Sequence, residues 1–408
     1  MEQITKPHCG ARLDRLPDCR WHSSMFAIVA FGLLVCWSNA VGGLILAQLK
    51  ALGWTDNSTT ATFSAITTAG MFLGALVGGI IGDKTGRRNA FILYEAIHIA
   101  SMVVGAFSPN MDFLIACRFV MGVGLGALLV TLFAGFTEYM PGRNRGTWSS
   151  RVSFIGNWSY PLCSLIAMGL TPLISAEWNW RVQLLIPAIL SLIATALAWR
   201  YFPESPRWLE SRGRYQEAEK VMRSIEEGVI RQTGKPLPPV VIADDGKAPQ
   251  AVPYSALLTG VLLKRVILGS CVLIAMNVVQ YTLINWLPTI FMTQGINLKD
   301  SIVLNTMSMF GAPFGIFIAM LVMDKIPRKT MGVGLLILIA VLGYIYSLQT
   351  SMLLITLIGF FLITFVYMYV CYASAVYVPE IWPTEAKLRG SGLANAVGRI
   401  SGIAAPYA

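Results

Sequence analysis

Long apolar runs recurring down the whole chain constrain this sequence more than any other feature. A bilayer core of about 30 Å takes roughly 20 apolar helical residues to cross. Such runs fall near 25–47, 60–82, 89–107, 113–137, 150–173 and 182–202, and again near 266–292, 302–323, 330–348, 352–377 and 389–408. The pattern predicts an all-α integral membrane protein with eleven spans. Composition agrees, because only 13% of residues are charged, about half the usual share of soluble domains. The closing residues Ala404-Ala405-Pro406-Tyr407-Ala408 carry no polar exit, so the chain is expected to end inside its eleventh span, with a twelfth missing.

Lysine and arginine fall almost wholly on alternate connections. One set holds Lys84, Arg87 and Arg88; Arg143, Arg145 and Arg151; Lys325, Arg328 and Lys329; and Lys387 and Arg389. The opposite connections offer little beyond Lys50 and Lys299. The positive-inside rule makes the first set cytoplasmic. The expected order is a cytoplasmic N-terminal tail (1–24), an N-terminal six-helix half (25–202), a cytoplasmic linker (203–265) and a C-terminal half (266–408). Positions 1–24 are polar and lead straight into a full-length apolar run, so no cleavable signal peptide is expected. Within the linker, 208–231 reads as a charged helix and 233–253 as a flexible Pro-rich stretch.

An internal repeat settles the expected architecture. Asp83-Lys84-Thr85-Gly86-Arg87-Arg88 returns as Asp324-Lys325-Ile326-Pro327-Arg328-Lys329 at an offset of 241. Glu138-x-x-Pro141-x-x-x-Arg145 returns as Glu380-x-x-Pro383-x-x-x-Lys387 at an offset of 242. Two signatures at one spacing predict two parallel six-helix halves. Chains built this way bind substrate near the midplane and rock one half against the other. The repeated acids suit gating: Gly79, Asp83, Gly86, Arg87, Arg88, Glu138, Arg145, Asp324, Arg328 and Glu380 are the candidate gating residues, expected to clamp the cytoplasmic side. The simpler alternative is that these charges only set topology.

Gly79-x-x-x-Asp83-Lys84-x-Gly86-Arg87-Arg88 resembles the signature loop of the major facilitator superfamily. Arg118-x-x-x-Gly122-x-Gly124, Pro203-Glu204-Ser205-Pro206-Arg207-Trp208-Leu209 and Pro379-Glu380-Ile381-Trp382-Pro383-Thr384 resemble its sugar-porter and metabolite-symporter branch, most of all the bacterial inner membrane metabolite transport proteins. The resemblance implies alternating-access transport in a bacterial inner membrane, and a proton-coupling role for Arg118 opposite an Asp of the first span. There are departures. The first span carries Cys36-Trp37-Ser38-Asn39 in place of that Asp. Met320 stands where the second loop copy should have Gly, and Ala275-Met276 lie near the place of a Gln-Gln pair. Tyr367, Tyr369 and Tyr372 occupy the tenth span, which lacks the Gly-Pro-x-x-Trp of sugar porters.

Ionisable residues inside spans are functional candidates, since burying them is costly. Arg118 lies in the fourth span, Arg399 near the middle of the eleventh, and Glu95 in the third with His98 one turn on. Glu95 and His98 are candidate proton carriers beside Arg118, histidine titrating near neutrality. The alternative is that Glu95 pairs with a base and joins two helices. Two cations in the membrane tilt the substrate toward an organic acid or acidic sugar, because Arg grips carboxylates through paired hydrogen bonds; Arg399 capping backbone carbonyls is the competing reading. Asn39, Asn157, Asn277, Gln280, Tyr281 and Asn285 complete the candidate substrate site with Arg118 and Arg399. Gly122, Gly124 and Gly126 read as close helix packing.

The expectation is a secondary transporter of a small polar metabolite, proton-coupled, with uniport of a neutral sugar or polyol as the alternative. A nutrient sensor on the same fold would carry a larger tail or linker than this one. No enzyme is expected: His8, His22 and His98 are scattered, and no Gly-x-x-x-x-Gly-Lys-Ser/Thr loop occurs. Neither cofactor nor metal is expected; the spacing of Cys9, Cys19, His8 and His22 matches no common zinc site. The expected partners are a small-molecule substrate, protons and the lipid bilayer, with no nucleic acid, and the expected state is monomeric.

Overall fold

A computed structural model describes residues 7–17, 19–37, 40–141, 145–240, 254–293, 295–323, 325–349, 351–382 and 387–404. The helices run α1 (Cys9–Asp14), α2 (Arg20–Val35), α3 (Gly42–Ala51), α4 (Asn57–Thr85), α5 (Arg87–Ala106), α6 (Met111–Tyr139), α7 (Arg145–Asn157), α8 (Ser159–Leu170) and α9 (Ala176–Tyr201). They continue as α10 (Pro206–Ser211), α11 (Tyr215–Thr233), α12 (Tyr254–Leu257), α13 (Gly260–Thr293), α14 (Leu298–Met309), α15 (Gly311–Val322), α16 (Arg328–Ser347) and α17 (Met352–Cys371). A π-helical turn (Tyr372–Tyr377) leads to α18 (Val378–Glu380), and α19 (Lys387–Ala404) follows. The starts of α4, α6 and α14 are capped by short polar side chains: Asp56 accepts from Thr59 N at 2.7 Å, Asn110 from Phe113 N at 2.9 Å and Asn297 from Asp300 N at 2.8 Å.

Among the described residues, eight helical stretches are long and apolar enough to cross a membrane, against the eleven runs in the sequence. The other three runs are broken or too polar. The first divides into α2 and α3 around Cys36 and Trp37, ahead of Gly42-Gly43. The fifth divides at Trp158; the eighth, itself one of the eight spanning stretches, is likewise interrupted at Phe310. Proline accounts for both of those: it lacks an N–H and its ring clashes with the carbonyl four residues back. For Pro161 that residue is Asn157, the last of α7; for Pro313 it is Met309, the last of α14. Among the described residues the eleventh run forms α19, which is more polar than the eight spanning stretches.

The helices form two groups, each with its own apolar core. Val29, Phe91, Leu128 and Phe136 typify the first, and Leu273, Ile316, Leu362 and Tyr367 the second. Both groups rest on glycines where one helix meets another backbone to backbone. A Cβ at Gly70 or Gly74 of α4 would lie 2.3 Å from Phe119 O or 2.1 Å from Val123 O of α6. A Cβ at Gly311 or Gly315 of α15 would lie 2.4 Å from Phe360 O or 2.2 Å from Thr364 O of α17. All four positions of the second set follow the first at the offset of 241, so the repeat is one of packing as well as of charge. Gly122 and Gly126 face α4 in the same way, while Gly124 meets the His98 backbone of α5 at 3.0 Å, so close packing accounts for all three.

Gly79 departs from its expected role. A Cβ there meets nothing within 4 Å, whereas one at Gly78 would lie 2.6 Å from Ala127 Cα. The tight approach belongs to the neighbouring residue, and Gly79 points away from the contact. Its counterpart Met320 is 41% exposed, so a large side chain fits there without repacking.

The N-terminal tail is docked. Leu13 and Leu16 are fully buried against α11 residues Met222, Ile225 and Val229, with Trp208 and Leu209 of α10 closing the cluster. Residues 215–233 are helical, whereas 241–253 lie outside the described residues.

Candidate functional site

Three constellations hold the chemistry. The first lies at the end of the bundle carrying the Asp83–Arg88 loop. Gly86 takes φ +98°, a conformation that favours glycine, and a Cβ there would fall 2.2 Å from Glu204 Oε2. The space lets Glu204 reach the start of α5, where it accepts from Arg87 N at 2.7 Å, Arg88 N at 3.3 Å and its neighbour Ser205 N at 2.9 Å. Burial pushes the Glu204 carboxyl up, and those N–H groups only partly counter it. Arg87 pairs with Asp83 at 2.7 Å and with Glu138 at 2.9 Å, and Ser205 Oγ donates to Glu138. Trp208 Nε1 donates to Asp83 O at 2.7 Å, fastening α10 to the loop. Arg88 reaches Trp199 O at 2.5 Å. Pro203–Arg207 therefore does more than end a helix.

The second helix group repeats the pair. Arg328 donates to Glu380 through Nε at 3.0 Å and Nη2 at 3.1 Å, a two-point grip. Arg87–Glu138 and Arg328–Glu380 are thus the structural form of the sequence repeat. Each stays within its own helix group, so among the described residues these pairs brace the groups internally and clamp nothing between them. Asp324, Asn39 and Pro383 lie outside the described residues, as do the side chains of Arg145 and Asn285.

The second constellation is buried in the first group. Glu95, His98 and Cys36 are shielded from solvent, with Glu95 Oε2 3.6 Å from His98 Nδ1 and Cys36 Sγ 3.7 Å from Glu95 Oε1. No Arg or Lys pairs with Glu95 among the described residues, which sets aside the reading of Glu95 as half of a helix-joining ion pair. Arg118 is 1% exposed, bonds Thr67 Oγ1 at 3.2 Å through Nε, and stands 4.7 Å over the Phe63 ring. Its guanidinium therefore faces α4.

The third constellation lies where the groups meet. Tyr160 of α8 and Tyr367 of α17 cross edge to face at 5.3 Å, and the Gln280 amide and Tyr281 of α13 lie within electrostatic reach of both hydroxyls. The Tyr367 hydroxyl is buried and faces Tyr160 and Gln280, with no well-aligned hydrogen bond to either. Tyr281 also touches Gly402 of α19, and Asn277 packs on Gly398 while its amide bonds Leu273 O at 2.7 Å in its own helix. Asn157 likewise bonds Ser153 O at 2.7 Å. Both amides are satisfied by backbone, a weaker position for a ligand contact than their residue type suggested. Arg399 is half-buried within α19, and no ion pair engages it among the described residues.

Sequence reasoning missed Tyr160, Glu204 and the Asn305–Ser164 pair. Asn305 Nδ2 donates to Ser164 Oγ at 3.2 Å, joining α14 to α8 across the groups. The signal for Tyr160 was Pro161, which breaks the fifth run and turns the preceding side chain; nothing local marks Asn305 or Glu204. The groups also meet unequally along the bundle. Contact of α8 with α14 is more extensive than that of α7 with α15, and α3 packs on α13, so the groups close together at the end opposite the Asp83–Arg88 loop.

Residues 24–406 match the family model described as Major Facilitator Superfamily. The chain is 44% identical over 410 residues to the inner membrane metabolite transport protein YdjE of Escherichia coli (strain K12), spanning 100% of this chain and 89% of that protein. It is 25% identical over 400 residues to the niacin transporter NiaP of Acinetobacter baylyi, spanning 97% and 88%. A solved structure, the partially occluded inward open xylose transporter XylE from E. coli, shares the fold with a TM-score of 0.72 at 18% identity, covering 95% of this chain and 91% of that one.

Proposed function

The chain belongs to the Major Facilitator Superfamily, and we propose that it carries a small carboxylate-bearing metabolite across a bacterial inner membrane together with a proton. It is a secondary transporter, working by alternating access, and not an enzyme. The two helix groups are the two halves related by the 241-residue repeat, with six apolar runs in the first and five in the second, and the Asp83–Arg88 end lies in the cytoplasm. Closure at the opposite end corresponds to an inward-facing state.

The substrate sits between the halves, among Tyr160, Tyr367, Gln280 and Tyr281, with Asn157 and Asn277 as further candidates; of the sequence candidates, Asn39 and the Asn285 side chain fall outside what the structure describes. One observation carries this placement: the buried Tyr367 hydroxyl faces Tyr160 and Gln280 without a well-aligned hydrogen bond, where aromatic groups of both halves converge. A polar ligand bound there would give that hydroxyl a better-aligned partner. Arg399 of α19 and Arg118 of α6 supply the charge that favours an acid. The relative named as a niacin transporter handles a compound of that class.

Glu95 holds the transported proton, with His98 as its neighbour and Arg118 on the adjoining helix. The support is geometric: Glu95 is an ionisable group fully buried in a spanning helix, with His98 Nδ1 3.6 Å from its Oε2. The ion pairs at Arg87 and Arg328 keep each half rigid while the halves move. Uptake into proteoliposomes tests this, with sugars, polyols and organic acids offered with and without an imposed proton gradient. Concentrative uptake of an acid under the gradient only, reduced to equilibration in Glu95→Gln, is the expected result. Gradient-independent equilibration of a neutral sugar would overturn both the substrate class and the coupling.

A further inference from the structure

At the end of the first helix group opposite the Asp83–Arg88 loop, Leu52, Trp54, Glu177, Trp178 and Arg181 enclose a cavity of about 310 Å³. That is within the size range of small-molecule pockets. The Arg181 guanidinium is sheathed in indoles: its carbon stands 4.2 Å from the Trp180 ring, 5.6 Å from Trp54 and 5.9 Å from Trp178. Trp180 is fully buried and Trp54 crosses it edge to face at 5.5 Å, so the stack is fixed in place.

Rings cover the flat faces of a guanidinium, whereas its five N–H bonds lie in the plane. Arg181 directs Nη1 to Glu177 O at 2.5 Å and Nη2 to Ser108 O at 3.5 Å, both backbone carbonyls. It forms no ion pair with a carboxylate among the described residues, and further in-plane donors are left for a ligand. Glu177 lines the same cavity with an exposed carboxylate, and indole faces attract ammonium groups. One wall of the cavity thus suits an anion and the other a cationic nitrogen.

We propose that this cavity binds a small zwitterion, its carboxylate or phosphate held by Arg181 and its ammonium group by Glu177 and the Trp54 and Trp178 rings. The site is separate from the central one and does not depend on which substrate the central site takes. A soluble betaine and the headgroup of phosphatidylethanolamine offer the same pair of groups.

The test uses the purified full-length chain in detergent, following tryptophan fluorescence during titration with glycine betaine or with short-chain phosphatidylethanolamine. Acetate and tetramethylammonium serve as half-ligands. A saturable change with glycine betaine, with each half-ligand and Arg181→Ala and Glu177→Gln binding about tenfold more weakly or worse, is the expected result for a soluble ligand. The same sensitivity seen with the phospholipid only assigns the site to the headgroup. No saturable change with either probe, or wild-type affinity in both variants, overturns the proposal and leaves an aromatic membrane anchor. Glu177→Gln removes one charge at an exposed position, so it reports on binding even if Arg181→Ala fails to fold.

Discussion

Replacing Arg12 with alanine should release the N-terminal tail without unfolding the bundle. Arg12 grips Glu226 through Nε at 3.0 Å and Nη2 at 2.6 Å and also bonds Glu219, while Arg15 holds Glu226 at 2.7 Å. The Arg12 side chain is 14% exposed and that of Glu226 12%, so the pair is only partly screened. A charge-assisted hydrogen bond contributes about 1.5–3 kcal/mol, and residual solvent contact favours the lower part of that range. A loss of about 2 kcal/mol raises the undocked fraction about 30-fold. Amide exchange across residues 9–16 should accelerate by that factor, while exchange in α4–α6 stays unchanged. Cys9 gives a second readout. Burial, reinforced by Glu210, pushes its thiol up to about 12, so maleimide labelling should be slow in the native chain and fast in the variant. The sign with pH also follows. Burial pushes Glu226 up, but the hydrogen bonds from Arg12 and Arg15 outweigh it and hold the carboxyl below the ordinary 4.5. Stability from a depressed carboxylate is complete above the ordinary value and is lost as pH falls through the folded one. Tail protection, corrected for intrinsic exchange, should therefore be flat from neutral pH down to about 5 and fall below it, with a smaller acid step in Arg12→Ala. Unchanged exchange and labelling in Arg12→Ala would refute the docking argument.

Two further outcomes rest on glycines. Gly86→Ala should lower thermal stability, since its Cβ would sit 2.2 Å from Glu204 Oε2 and the residue would have to keep φ +98°. The expected loss is about 1–2 kcal/mol for the cap plus about 1 kcal/mol of strain. Adding Glu204→Ala should cost little more, because Gly86→Ala has already displaced that carboxylate; additive losses would show the two are uncoupled. Gly74→Ala should destabilise strongly, since Val123 O stands 2.1 Å from the new Cβ and backbone cannot step aside. About 1–3 kcal/mol is a floor for such overpacking. Gly79→Ala meets open space and should be neutral or stabilise by up to about 1 kcal/mol through helix propensity. Equal melting temperatures for those two variants would contradict the packing described.

Much of the fold was legible because membrane spans are written as uninterrupted apolar runs, and because charge repeats survive as residue identities. The Arg87–Glu138 and Arg328–Glu380 pairs could be anticipated from their spacing alone. Helix breaks at Trp158 and Phe310 were also in the sequence, at Pro161 and Pro313, each three residues beyond the break. Other features could not be read. Spacing identifies a glycine-rich face but not which glycine points at the neighbour: Gly78, beside the motif glycine Gly79, makes the approach. Glu204 caps a helix that begins 117 residues earlier, and Tyr160 finds Tyr367 only once both groups are assembled. Leu13 and Leu16 lie in a polar stretch whose apolar partner is α11, more than 200 residues away.

The distribution of forces explains how such a chain can move without losing its fold. Within each group the helices are fixed by backbone-to-backbone glycine contacts and by two-point arginine pairs, both of which fail abruptly if shifted by an ångström. Between the groups the described contacts are of another kind: ring edges such as Trp158–Phe310 at 6.3 Å and Phe154–Phe317 at 6.3 Å, and a single neutral hydrogen bond at Asn305. An aromatic pair contributes about 0.5–1.5 kcal/mol and a neutral hydrogen bond a similar amount, so each is replaceable by lipid, water or substrate at small net change. The strong, geometrically exacting interactions are spent on rigidity, and the weak, tolerant ones lie on the seam. A bound metabolite needs only a few kcal/mol of differential contact to shift a balance of that size, and the Tyr367 hydroxyl on the seam is placed to receive it.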